Sequence, residues 1–191
     1  MYICTDCIIG GNVGSWSLCY CQTPGLMTYY DPFPYWNNPT TDTIDKIIAE
    51  YEDLNRHPIP SRGEFVTEHS SEHFSKYELN GGDYDYFIPG SMAEIAENVR
   101  ERYNDLIDDD PDTDYGIIIS SGYRNPRRND RRGGESDSKH QWGRGVDLVP
   151  SSRLPPNMTE ADAMNRIEEA ASEVGGYYVE HEGDHVHVHQ L

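Results

Sequence analysis

Five of the eight histidines in this 191-residue chain lie between positions 140 and 189, and four of those fall in the last eleven residues. His185-Val-His187-Val-His189 alternates ring and aliphatic side chain, and the two-residue period of a strand puts all three rings on one face. A second segment, His140-Gln-Trp-Gly143-Arg-Gly145-Val-Asp147, separates a His from an Asp by two glycines, at which the chain can turn closely. Neutral imidazole with carboxylate oxygen is a preferred zinc donor set, and a catalytic zinc keeps three protein ligands and one open position. Read alone, the terminal histidines equally fit the solvated face of an edge strand with its valines turned inward. Asp147 tips the balance, because a carboxylate beside Val146, Leu148 and Val149 needs a cation or hydrogen bonds to compensate its burial.

The elements that must position these residues are legible from periodicity. Ile44, Ile47, Ile48, Tyr51 and Leu54 form one stripe of a helix over Thr43–Asn55. Ser91 stands three residues before Glu94 in a capping-box arrangement, and Met92, Ile95, Ala96, Val99, Tyr103, Leu106 and Ile107 follow at helical spacing. A short apolar run, Tyr115 to Ser120, suits a buried strand; a polar, Arg-rich loop from Asn125 to Lys139 and a second strand around Val146–Val149 follow. A third helix runs from Thr159 to Val174 and stops at Gly175-Gly176. Tyr177–Glu180 and His185–His189, joined by a Glu-Gly-Asp turn, make a terminal hairpin. Helices segregated from a small, mainly antiparallel sheet define an α+β fold.

Residues 1–40 differ in composition and read as a loop-rich arm ahead of a domain spanning 41–191. The arm holds all four cysteines, Cys4, Cys7, Cys19 and Cys21, whose spacing fits a second, four-thiolate metal site, two disulfides, or reduced thiols. His69-Ser-Ser-Glu72-His73 has the form of an inverted zincin motif, but its surroundings are polar and lack the apolar helical stripe that motif requires, so it reads as a solvated turn leading into Phe74.

Composition excludes several classes. With 34 Asp plus Glu against 15 Lys plus Arg, the formal charge is -19, which would repel a phosphate backbone and argues against nucleic-acid binding. Such acidity fits solubility in high salt or attraction to a cationic partner. No run approaches the ~18 apolar residues of a membrane span, and no basic flank with an apolar run marks a signal peptide. Leu, Ile, Val and Phe are sparse, but 14 Tyr and 3 Trp supply apolar area that disordered chains lack. The segment 124–144 is locally net positive, with Arg124, Arg127, Arg128, Arg131, Arg132, Lys139 and Arg144, and is expected to border the metal as a positive entrance.

Ile118-Ile-Ser-Ser-Gly-Tyr-Arg124-Asn-Pro, Ser138-Lys-His140-Gln-Trp-Gly143-Arg-Gly145-Val-Asp147 and His185-Val-His187 occur in an order that resembles the zinc D-alanyl-D-alanine carboxypeptidase family. That group includes phage cell-wall endopeptidases, D,D-dipeptidases and the hedgehog signalling domain; His73-Phe-Ser-Lys-Tyr-Glu-Leu79 is similar to its peptidoglycan-peptidase branch, and the resemblance covers roughly residues 70–191. It implies a hedgehog/DD-peptidase-like fold and zinc (Zn2+) held by His140, Asp147 and His187, with His185 as a neighbouring ring. It also implies Arg124 on the substrate carbonyl or carboxylate, with Ser138 and Tyr123 in the substrate-binding loop. For the general base it offers Asp184, three residues before His187, ahead of Glu180 on the preceding strand. The implied activity is hydrolysis of peptidoglycan stem peptides, as carboxypeptidase or endopeptidase, at a cell wall reached by phage-mediated lysis or another export route, the alternative location being the cytoplasm. The rival reading is a non-catalytic, zinc-bearing, hedgehog-like binding module.

Overall fold

The computed structural model describes residues 8–10, 18–20, 44–69, 71–81, 86–107 and 115–191. Two compact units divide the chain, Met1–Asn37 and Asn38–Leu191. In the first, strands β1 (Ile8–Gly10) and β2 (Leu18–Tyr20) pair antiparallel within the segment whose composition predicts a loop-rich arm. Three-residue strands are too short to carry a period of two that a pattern search can detect. Cys19 lies on β2; Cys4, Cys7 and Cys21 lie outside the described residues.

The described residues of the second unit form an α+β fold of five helices and one four-stranded sheet. Helix α1 (Ile44–Asp53) buries Ile47 and Tyr51, and α2 (Lys76–Leu79) is a single turn capped by Ser75 and Glu78. Helix α3 (Met92–Leu106) buries Met92, Ile95, Ala96, Val99 and Tyr103. Burial contributes about 1.5–3 kcal/mol for each large apolar side chain relative to exposure, which is why this stripe fixes the helix to the core. Ser91 does not cap α3 through its side chain; its hydroxyl is 3.3 Å from Gln190 Oε1. Capping boxes are built instead at α2, between Ser75 and Glu78, and at α5 (Glu160–Val174), between Thr159 and Asp162. Helices α3 and α5 pack together, and α5 also packs on the sheet.

The sheet runs β3-β4-β6-β5, all antiparallel, from β3 (Ile117–Ser121), β4 (Gly145–Pro150), β5 (Tyr177–His181) and β6 (Val186–Gln190). Ile117, Ile119, Val146, Leu148, Val186 and Val188 are buried on its core face. Alternation sends Asp147 and His187 to the other face. The Arg-rich segment read as loop contains helix α4 (Pro126–Arg131), opened by Asn125, whose side chain accepts from Arg128 N, and by Pro126 at the first turn. Asn-Pro was the available signal, since Asn caps and Pro has no amide to lose there.

Among the described residues no helix is long and apolar enough to cross a membrane.

Candidate metal centre

Four residues stand in one row across the sheet, one per strand: Ser121 opposite Asp147, Asp147 opposite His187, His187 opposite Glu180. The row exists because of a bulge. Ile119 pairs with Leu148 on the core face, so two residues on Ser121 would also face the core. The extra residue between them resets the alternation and brings Ser121 opposite Asp147. Ser121 Oγ then accepts from Arg124 Nε at 2.8 Å, and Arg124 Nη2 ion-pairs with Asp147 Oδ2.

His140 comes to the row from a 3-10 turn, Lys139–Trp142, that closes at Gly143. Gly143 has φ 63°, and a Cβ there would lie 2.2 Å from Ile88 O, so only glycine allows the turn to sit against the chain at Ile88–Gly90. His140 is 2 % exposed and donates from Nδ1 to Gly122 O at 2.7 Å. Its Nε2 is 3.0 Å from Asp147 Oδ1 and 3.3 Å from His187 Nδ1, and His187 Nδ1 is 2.8 Å from the same Asp147 oxygen.

The protonation state decides what these distances mean. Burial pushes the His140 ring below its ordinary pKa, toward the neutral form. Its one proton is committed on Nδ1 to a carbonyl that can only accept, so Nε2 presents a lone pair. Burial would raise the Asp147 pKa, but its polar neighbours, among them the Arg124 charge, which does not depend on either ring's tautomer, hold it low, and the carboxylate stays ionised although 3 % exposed. Lone pairs from Nε2, Oδ1 and Nδ1, all within 4.8 Å of one another, therefore converge with an anion among them. A cation with a taste for two imidazoles and one carboxylate satisfies that arrangement, and zinc fits it.

His185 lies beside the triad: Nε2 is 3.6 Å from Asp147 Oδ1, and Nδ1 is 2.7 Å from Asp184 Oδ1. The Asp184 carboxylate is 91 % exposed, and the hydrogen bond from His185 lowers its pKa. Glu180 faces His187 directly across the β5–β6 ladder and accepts from Tyr178 Oη at 2.9 Å. By register Glu180 is thus nearer the triad's own row than Asp184, which reaches it through the His185 ring.

Two sequence expectations need correction. Tyr123 is fully buried with its hydroxyl 3.2 Å from that of Tyr51, so it braces the loop from behind rather than facing a substrate. The expected positive entrance is also reduced. Arg127 reaches Glu50 and Asp53 on α1 and Arg128 is buried with Nη2 on Gly81 O, while Arg131, Arg132 and Arg144 stay exposed. Ser138 occupies the cap position of the His140 turn, where its carbonyl accepts from Gln141 N. His73 binds Glu97 through Nδ1 at 2.7 Å, a tie between loop and α3, and among the described residues the only grouping suited to a metal is His140, Asp147 and His187. His189 joins the site beyond the residues that the resemblance implies, and its place two residues after His187 on the same strand face is the signal for it.

A family model described as Peptidase M15 matches residues 89–189, a span that takes in α3, the Arg124 loop, the His140 turn, Asp147 and His187. No curated protein and no solved structure matches the chain.

Proposed function

The chain belongs to the Peptidase M15 family of zinc peptidases, and from that premise we propose that it hydrolyses peptidoglycan stem peptides at a bond involving a D-amino acid, with zinc held by His140, Asp147 and His187. The observation that carries this reading is the convergence of Nε2, Oδ1 and Nδ1 around a carboxylate whose other oxygen is paired with Arg124, itself held by Ser121. Bound there, zinc would polarise a peptide carbonyl and acidify the attacking water.

The remaining steps belong to the chain's own groups. Arg124 spends Nε and Nη2 on Ser121 and Asp147, which fixes the guanidinium beside the triad and leaves Nη1 to bind a carbonyl or a terminal carboxylate. Glu180 takes the proton of the attacking water and returns it to the leaving amine, held by Tyr178 in the meantime. Asp184 keeps the His185 ring turned toward Asp147. Such an enzyme acts at the cell wall.

A zinc-bearing binding module is the second reading, favoured by the exposure of Asp184 and its engagement with His185. Purified protein, metal-depleted and then restored with zinc, incubated with peptidoglycan fragments and followed by mass spectrometry, separates the two. Hydrolysis expected from the zinc-restored sample alone identifies the bond cut. Zinc uptake without release of any amine overturns the peptidase reading in favour of the module.

A further inference from the structure

His187 turns Nδ1 toward Asp147 and His140; when that nitrogen serves as a metal ligand the ring's proton sits on Nε2, which is 3.1 Å from His189 Nδ1. His189 is not free to turn. Its ring stacks on Tyr178, with centroids 4.7 Å apart and planes 24° from parallel, while the Tyr178 hydroxyl donates to Glu180. The β-ladder makes this possible, since Tyr178 is the cross-strand partner of His189, and Glu180 that of His187.

We infer that His189 is a positioning residue for the metal centre: by accepting the Nε2 proton of His187 it holds that ring in the tautomer and orientation that leave Nδ1 as a ligand. Tyr178 holds the His189 ring for this task and the Glu180 carboxylate for its own. The inference rests on zinc being held by His140, Asp147 and His187. An acceptor on the far nitrogen of a ligating histidine fixes its lone pair and raises its basicity, and losing such a partner typically costs ~10–100-fold in metal affinity.

Two variants separate hydrogen bonding from packing. His189→Phe keeps a ring to stack on Tyr178 but has no acceptor; His189→Asn loses the stack but puts an amide oxygen near the place of Nδ1. Zinc affinity is measured for both and for the unaltered protein by competition with a chromogenic chelator, with thermal unfolding of the metal-free proteins as the check on folding. His189→Phe is expected to weaken zinc ~10–100-fold and His189→Asn to recover most of that loss. Equal zinc affinity in His189→Phe and the unaltered protein, or no recovery in a folded His189→Asn, overturns the inference. Where either variant fails to fold, ring-nitrogen NMR of the unaltered zinc-loaded protein decides: a proton on His187 Nε2 that exchanges slowly supports it, and a proton on His187 Nδ1 overturns it. An unaltered protein that takes up no zinc overturns the site assignment itself, whereas tight zinc binding unaffected by His189→Phe overturns only the role of His189.

Discussion

Replacing Asp147 by Asn keeps the volume of a side chain that is 3 % exposed and removes its charge. Two separate effects follow. In the metal-free protein Arg124 loses the carboxylate it ion-pairs with, and stranding one partner of a buried pair costs about 3–5 kcal/mol. In the presence of zinc a ligand is lost. A partner one shell out from the metal is worth ~10–100-fold in affinity, so an anionic ligand is worth at least the upper end, about 100-fold. At a zinc concentration about 1,000 times the Kd of the unaltered protein, zinc adds about 4.1 kcal/mol to folding stability. A 100-fold weaker site gains only about 1.4 kcal/mol at the same concentration, from the same linkage relation. For a domain of this size the missing ~2.7 kcal/mol corresponds to ~5–11 °C of zinc-induced shift in Tm. The assay is thermal unfolding of both proteins with and without zinc. The quantity compared is the shift that zinc produces, because the absolute Tm of the variant also carries the Arg124 penalty. A zinc shift in Asp147→Asn equal to that of the unaltered protein would refute the reasoning, since the buried carboxylate would then not be a ligand.

Glu180→Gln is expected to lower kcat/KM by ~10²–10⁴ with zinc content unchanged, and Asp184→Asn by no more than ~10-fold; a larger loss in Asp184→Asn moves the general base to Asp184. Gly143→Ala places a Cβ 2.2 Å from Ile88 O at φ 63° and is expected to destabilise by ~2–4 kcal/mol in chemical denaturation while weakening zinc through the displaced His140, an unchanged midpoint being the contrary result. Burial would raise the Glu97 pKa, but bonds from Ser71 and His73 outweigh it and hold it below its ordinary value. The stability this provides is complete above the unfolded pKa and lost as pH falls through the lower, folded one. Glu97→Gln should therefore cost about 1 kcal/mol at neutral pH. The cost should vanish in acid, and a pH-independent difference would count against the His73–Glu97 tie.

What the sequence revealed depended on how much of each feature was periodic. The faces of α1, α3 and α5 were readable because burial of Ile47, Ile95 and Ile167 recurs at helical spacing over ten or more residues, and the terminal hairpin because its valines alternate. The His140, Asp147 and His187 cluster was legible from residue type and motif order. What was hidden arises from pairing between distant segments. The bulge that turns Ser121 toward Asp147 leaves no local mark, nor does the register that puts Glu180 opposite His187. Arg127 on α4 reads as positive surface because sequence counts charge but not its partners, here Glu50 and Asp53 on α1. Tyr123 looked like a substrate residue from its place in the motif, and only the fold shows its hydroxyl turned inward to Tyr51.

The central claim, a zinc peptidase built on His140, Asp147 and His187, is tested most directly by measuring zinc stoichiometry and amine release together on one metal-depleted, zinc-titrated sample with peptidoglycan fragments. One zinc per chain, with hydrolysis rising in proportion to its binding and both abolished in Asp147→Asn, is the predicted result. Hydrolysis that persists in the metal-depleted protein, or a full zinc equivalent still bound by Asp147→Asn with activity intact, would contradict it.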